Sequence, residues 1–493
     1  MNHPLLYEIN TRCWLRELSE QRGQRTDLGN VPAQFFDDWL RLGFTHLWLM
    51  GVWTTGPRSR AVALRDPDVR RNGDEVLPGW QAKDIAGSPY AIASYQVAPA
   101  LGGEEGLKQF RQKLHDHGLK LVLDFVPNHV GLDHPWLNER PDLFVPGGPQ
   151  TPGAFRQSTT NGIRWLAHGK DPYFPAWPDT AQLDYRRPET RAAMRDELTA
   201  IARRCDGVRC DMAMLLLNDV FTKTWANFPC PAAAPATEFW AEAIAAVKSA
   251  RPDFIFLAEV YWDLEARLQS LGFDYTYDKR LRDQLVHRPQ TTVQTGLREA
   301  TPEFIRASAH FLENHDEPRV ASLLSPDEHR AAALLILGLP GLRLLHEGQL
   351  SGARQFTRVQ LGRRPNEPSD LHIVELYEQL LTILKQTAVG RGESERLHPA
   401  PAWPDNPTAQ NFVVVQWQIA PPEFDLVVVN LAPQRSQCRV ALAASELANH
   451  TWQMNDLLGE EAYQRCGNTL TNDGLYLDLP AHGAQLFHFR PTI

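Results

Sequence analysis

Four short segments of this chain set ionisable side chains at the ends of apolar runs. In Gly207-Val-Arg-Cys-Asp211, an extended backbone puts Arg209 and Asp211 on one face, roughly 6.6–6.8 Å apart along it. A cation beside a carboxylate favours the ionised form that a nucleophile needs. Phe254-Ile-Phe-Leu-Ala-Glu259 ends an apolar stretch in a carboxylate, where poor solvation raises the pKa as a general acid requires. Phe311-Leu-Glu-Asn-His315-Asp316 and Asp124-Phe-Val-Pro-Asn128-His129 add histidines and further carboxylates. A single acidic residue at a strand end is usually a turn former or a helix cap. Four such ends in succession point to a shared site. Two carboxylates in opposed environments form the pair that glycoside hydrolysis uses.

These ends must be brought to one place. Short apolar runs recur at Leu5–Ile9, His46–Met50, Lys120–Val126, Gly207–Asp211, Phe254–Glu259, Phe273–Thr276, Ala309–Leu312 and Leu342–Leu345. Helical patterns lie between most of them, for example Pro32–Leu42, Glu104–His117, Pro188–Arg204, Glu238–Ala250, Asp263–Leu271 and His329–Leu337. Near-continuous apolar strands alternating with helices predict parallel strands covered on both faces. Eight of them predict a (β/α)₈ TIM barrel, whose active site is built at the C-terminal ends of the strands. A doubly wound open sheet is the competing architecture. Residues 51–103 and 130–185, rich in Gly, Pro, Asp and Trp, are too long for plain connections and read as functional loops or small subdomains. Their Trp53, Trp80, Trp136, Trp165 and Trp177 are candidates for stacking on flat ligands, while at least half of them are expected to pack the loops together. After residue 390 the pattern turns to alternating strands at Phe412–Ile419, Asp425–Leu431, Cys438–Leu442 and Ala484–Phe489, behind a polar linker at Arg391–Asn411. The expected layout is a barrel from 1–129 and 186–390, an inserted loop-rich subdomain at 130–185, and a C-terminal antiparallel β-sandwich at 391–493. A short Ala232–Ala234 patch is the one low-complexity tract.

Composition narrows the function. The 50 basic residues are outnumbered by 59 acidic ones and form no block that would track phosphates, which disfavours nucleic-acid binding. The longest apolar run, Ala331–Leu342, is shorter than the ~20 residues of a membrane span. The segment Met1-Asn-His-Pro-Leu-Leu-Tyr-Glu8 lacks the features of a secretory signal. Cys13, Cys205, Cys210, Cys230, Cys438 and Cys466 are scattered, as reduced thiols of a cytoplasmic protein would be. The oligomeric state leaves no signal in the sequence.

In order, the four segments resemble the four conserved regions of the α-amylase family, glycoside hydrolase family 13: DFVPNH at 124–129, GVRCD at 207–211, AEV at 258–260 and ENHD at 313–316. Ser88-Pro-Tyr90 with Tyr95 and Leu101-Gly-Gly103, and Leu339 to Gln349, extend the resemblance along nearly the whole chain. It implies a retaining hydrolase of α-glucosidic bonds in α-glucans or malto-oligosaccharides, working through a covalent glycosyl-enzyme. A glucanotransferase on the same residues is the alternative, with a non-catalytic sugar-binding member a remoter one. A metal-dependent hydrolase using His129 and His134 is an outsider from the residues themselves.

By the same resemblance, Asp211 is the nucleophile, Glu259 the acid/base and Asp316 the transition-state stabiliser. Arg209 orients the nucleophile, His129 and His315 donate to the sugar, and Tyr90 stacks on it. Retention predicts a carboxyl separation of roughly 5–5.5 Å between Asp211 and Glu259. Four positions depart from the family pattern. Met214 and Leu215 replace a Lys-His pair, and Ser94 replaces an acidic residue. Gln182 stands where many members carry a calcium-ligating Asp, leaving Asn128 as the one matching ligand, so no cofactor is expected and structural calcium is disfavoured.

Overall fold

The computed structural model describes residues 3–229, 235–287, 291–444 and 446–492. Cys230 and the Ala232–Ala234 patch lie outside the described residues. The eight apolar runs become β1 (Leu5–Asn10), β2 (His46–Met50), β3 (Lys120–Phe125), β4 (Gly207–Cys210), β5 (Ile255–Ala258), β6 (Tyr275–Tyr277), β7 (Ser308–His310) and β8 (Leu342–His346). Each pairs in parallel with its neighbours in sequence, and β8 pairs with β1 to close a barrel. The open-sheet alternative is thereby excluded.

The period of two along each strand decides what faces where. On β2, Leu47 and Leu49 pack outward under the helices, while Trp48 and Met50 join Leu6, Val122, Leu257 and Leu344 inside the barrel. On β4, Val208 packs outward and Arg209 is left facing in among Trp48 and Tyr277.

Residues 51–103, too long for a plain connection, hold helices Pro57–Ala63 and Pro67–Val76 and a two-stranded antiparallel sheet pairing Trp53–Thr55 with Ile92–Val97. The helices begin with proline at the first position, where the missing N–H is harmless, and Asp66 caps the second through Asp68 N and Val69 N. Their buried apolar residues Ala63, Val69 and Val76 form a small cluster with Leu77, Ile85 and Leu361. The linker expected at Arg391–Asn411 contains strand Glu393–Leu397, an edge strand paired antiparallel with Phe412–Gln418. Its alternating charges blunt the open edge, which is why it reads as linker.

The C-terminal region is a six-stranded and a three-stranded antiparallel sheet around one core that includes Phe412, Leu426, Val440, Leu477 and Phe487. The other face of the larger sheet lies on helix Pro326–Gly338. There Trp417 Nε1 donates to Gly338 O at 2.8 Å. A Cβ on Gly338 would sit 2.6 Å from Val427 Cγ1, so this contact requires glycine. Among the described residues no helix is long and apolar enough to cross a membrane, and Cys13, Cys205, Cys210, Cys438 and Cys466 are unpaired.

Candidate active site

The ends of β3, β4, β5 and β7 converge on Arg209. Its guanidinium carbon lies 5.3 Å from the Trp48 ring, 5.2 Å from Tyr90 and 5.7 Å from Tyr277, and the side chain has no solvent exposure. Aromatic faces stabilise the cation and exclude the water that would screen it. On β3, Asp124 accepts from Trp48 Nε1 (3.0 Å) and Gly51 N (2.8 Å). Burial pushes its pKa up to about 6 against the pull of Arg209.

Arg209 Nη1 donates to Asp211 Oδ1 at 2.6 Å, and Nη2 lies 2.7 Å from Glu259 Oε2. The two carboxylates thus share one guanidinium, each within reach of a different nitrogen. Glu259 Oε2 also accepts from Met212 N at 2.8 Å, and Oε1 from the Tyr261 hydroxyl at 2.8 Å. Met212 reaches this position through a left-handed backbone (φ 44°), a strain of the kind that clusters at functional sites. Burial, reinforced by the charges of Asp211 and Asp316, raises the Glu259 pKa to about 7 even with Arg209 beside it. Burial lifts Asp211 as well, so the guanidinium limits that effect without reversing it.

His315 lies between three groups. Its Nδ1 is 2.5 Å from Glu8 Oε1, and its Nε2 is 2.9 Å from Asp316 Oδ2 and 2.8 Å from the Tyr90 hydroxyl. Burial disfavours the imidazolium, but Asp316 and Glu8 together hold its pKa well above the ordinary value. Asp316 opens to the cleft. Burial opposes its charge, yet His315 keeps its pKa below the usual value. Tyr90 stacks on His315 with ring centres 5.4 Å apart. His129 packs edge-on to Trp177 and is neutral, its pKa lowered to about 4 by burial.

Asp211, Glu259, Asp316, Tyr90 and His129 line one cavity of about 370 Å³. Arg209 lies beneath it and His315 behind Tyr90 and Asp316. All seven residues singled out in the sequence are therefore gathered here. Other expectations fare differently. Of the five loop tryptophans, Trp177 lines the cavity, whereas Trp53 is fully buried with Nε1 on Asp124 O. Met214 and Leu215 pack into the core, leaving Met212 to face the site. Glu313 is held away by Arg319 Nη1 and Val320 N. Sequence reading missed Glu8, Tyr261 and Tyr277. Glu8 had a signal, as a lone carboxylate inside an apolar strand; the two tyrosines had none.

The residues around Asn128 also differ from an open ligand set. Gln182 Nε2 donates to Asn128 O (2.8 Å), Asn128 Oδ1 (2.9 Å) and Leu183 O (3.1 Å), while Asn128 Nδ2 donates to Gln182 Oε1 (3.2 Å). Asp184 is taken by Arg186 at 2.7 Å. Among the described residues no three His, Cys, Asp or Glu side chains converge as metal ligands, His129 and His134 included.

A parallel (β/α)₈ barrel carrying carboxylates on its strand ends, with a pair clamped by one arginine, is the architecture of a barrel glycosidase. The α-amylase catalytic-domain family model matches residues 39–389, and the chain belongs to the α-amylase family. Alpha-amylase 3 of Dictyoglomus thermophilum is 24% identical over 391 residues, 74% of this chain and 65% of that protein. The α-1,4-glucan:maltose-1-phosphate maltosyltransferase of Pseudomonas aeruginosa is 27% identical over 198 residues, 39% of this chain and 25% of that protein. The chain thus spans less than two thirds of either relative's length. The fold is similar to that of the noncanonic maltogenic α-amylase AmyB of Thermotoga neapolitana, with TM-score 0.70, 18% identity and 99% of each chain covered.

Proposed function

We propose that the chain is a retaining enzyme acting on α-glucosidic bonds of α-glucans or malto-oligosaccharides. The observation that carries this reading is the shared guanidinium. Arg209 holds Asp211 Oδ1 and leaves Oδ2 to attack the anomeric carbon. Glu259, with its pKa pushed up to about 7, has a proton to give to the departing glycosidic oxygen. Once the glycosyl ester on Asp211 has formed, the Glu259 carboxylate takes a proton from the incoming water or sugar hydroxyl, and the ester breaks. Asp316, oriented by His315, accepts from ring hydroxyls as positive charge builds on the sugar. Tyr90 stacks on that sugar and His129 hydrogen-bonds to it.

Hydrolysis and transglycosylation share this machinery, and the relatives named above include both an amylase and a maltosyltransferase. A time course with maltoheptaose, resolving every product by length, separates the two. Products only shorter than the substrate mean hydrolysis, and longer ones as well mean that a sugar outcompetes water. No turnover of this or shorter malto-oligosaccharides would refute the reading.

We also propose that structural calcium has no role at Asn128 and Gln182. A hard cation wants several free oxygens. Here the oxygens already accept from the Gln182 amide, which stands among them as a donor. These residues do not fit the ion.

A further inference from the structure

We infer that a second cavity, outside the barrel and apart from the catalytic one, binds a small neutral sugar. It measures about 490 Å³, within the ~300–1,000 Å³ typical of small-ligand sites. Its walls are the outward face of β1, the helix Thr11–Arg22 and the chain from Gly348 to Glu367. The two cavities have no lining residue in common. The inference is independent of the functional reading above.

The strand period puts a free hydroxyl here. On β1, Leu6 and Glu8 point into the barrel, so Tyr7 faces outward, its ring 4.7 Å from that of Phe44, and lines this cavity. Burial and the charge of Glu347 push the phenol pKa up, which keeps the hydroxyl a donor. Among the described residues it has no hydrogen-bond partner. Thr357, on the chain after β8, also lines the cavity, and its Oγ1 is buried without a partner. Polar groups left unpaired away from water are costly, and a hydroxyl-bearing ligand satisfies them.

The charged groups of the wall, by contrast, are already engaged. Arg364 forks onto Glu17 with two bonds of 2.6 Å and reaches Glu347 Oε1 at 2.7 Å. Arg16 donates to Glu20 at 3.0 Å, and Arg363 to Asp84 at 3.3 Å. Arg319 is turned to Glu313 at 2.7 Å, and Glu367 accepts from Arg354 N and Gln355 N at 2.9 and 3.2 Å. The four lining arginines and four lining glutamates cancel in charge. An anion or a cation therefore meets no free counter-charge, and would have to part an existing ion pair to enter. What the cavity offers is hydroxyls, the spare lone pairs of paired carboxylates, and the exposed amides of Gln21 and Gln355. That set matches the alternating donors and acceptors of a neutral sugar.

Arg358, next to Thr357, lines the catalytic cavity, so the test must tell the two sites apart. It uses the full chain carrying Gln355→Cys, with Cys466, exposed in the C-terminal region, as internal reference. Alkylation by iodoacetamide is read peptide by peptide in a mass spectrometer. Glucose near saturation should slow the reaction of the new thiol at least ~3-fold and leave that of Cys466 unchanged. Tyr7→Phe, which keeps the ring and its packing, should raise the half-protecting glucose concentration ~5-fold through the lost hydrogen bond. Asp316→Asn, in the catalytic cavity, should leave that concentration unchanged. A shift with Asp316→Asn and none with Tyr7→Phe would place the sugar in the catalytic cavity and overturn the inference. So would the absence of protection by glucose, or equal protection by citrate or putrescine.

Discussion

Arg209 donates to Asp211 at 2.6 Å from a position without solvent exposure, two residues away on the same strand face. The geometry follows from the strand period, because any Arg-x-Asp at the end of an inward-facing strand places both groups in the barrel mouth. The Trp48, Tyr90 and Tyr277 rings make that placement strong by keeping water from the cation.

Asp211→Asn and Glu259→Gln should each lower kcat by about 10⁴-fold or more, with unchanged circular dichroism, because the amides keep shape and lose charge or proton. Near-normal turnover by either purified variant would remove that residue from the chemistry.

The pH dependence follows from Glu259. As proton donor it works below its pKa, so kcat/KM should fall on the alkaline side with an apparent pKa near 7. Folding raises this pKa, so its contribution to stability is complete below the unfolded value of about 4.3 and is lost as pH rises through about 7. Glu259→Gln should therefore be more stable than the wild type at pH 8, by as much as about 3 kcal/mol, with the gain gone near pH 4. Thermal melts at the two pH values check the sign.

Glu8→Gln should weaken the imidazolium of His315, which has carboxylates on both ring nitrogens. The expected outcome is a lower His315 pKa by NMR titration and a loss in kcat of about tenfold. An unchanged titration would mean that Asp316 alone sets the charge.

Chelation should leave the melting temperature within a degree of its starting value. Gln182→Asp replaces the donor among the Asn128 and Leu183 oxygens with an acceptor, and should destabilise by about 1–3 kcal/mol. A large drop in melting temperature when EDTA is added to the wild type would contradict the proposal.

The barrel strands were legible because strands buried on both faces must be apolar throughout, as Leu342–His346 is but for Arg343 and the final histidine. His129, Arg209, Asp211, Glu259, His315 and Asp316 were legible because they end or follow such runs, whereas Tyr90 came from the family resemblance alone. What escaped depends on partners far away in sequence. The helices at 57–76 bury small apolar faces against Ile85 and Leu361, and nothing local in a Pro- and Arg-rich stretch announces that contact. Tyr261 and Tyr277 escaped likewise, since their role is defined by Glu259 and Arg209, reached only when the barrel closes. The tryptophans could not be sorted in the sequence because residue type does not distinguish Trp53, buried over Asp124, from Trp177 at the cavity.

The central claim is double displacement at Asp211 with Glu259 as acid and base, and its most direct test is the configuration of the first product. Proton NMR of maltoheptaose digestion, read before mutarotation, should show newly formed reducing ends as the α-anomer. β-Anomer appearing first would mean a single displacement by water and would contradict the account.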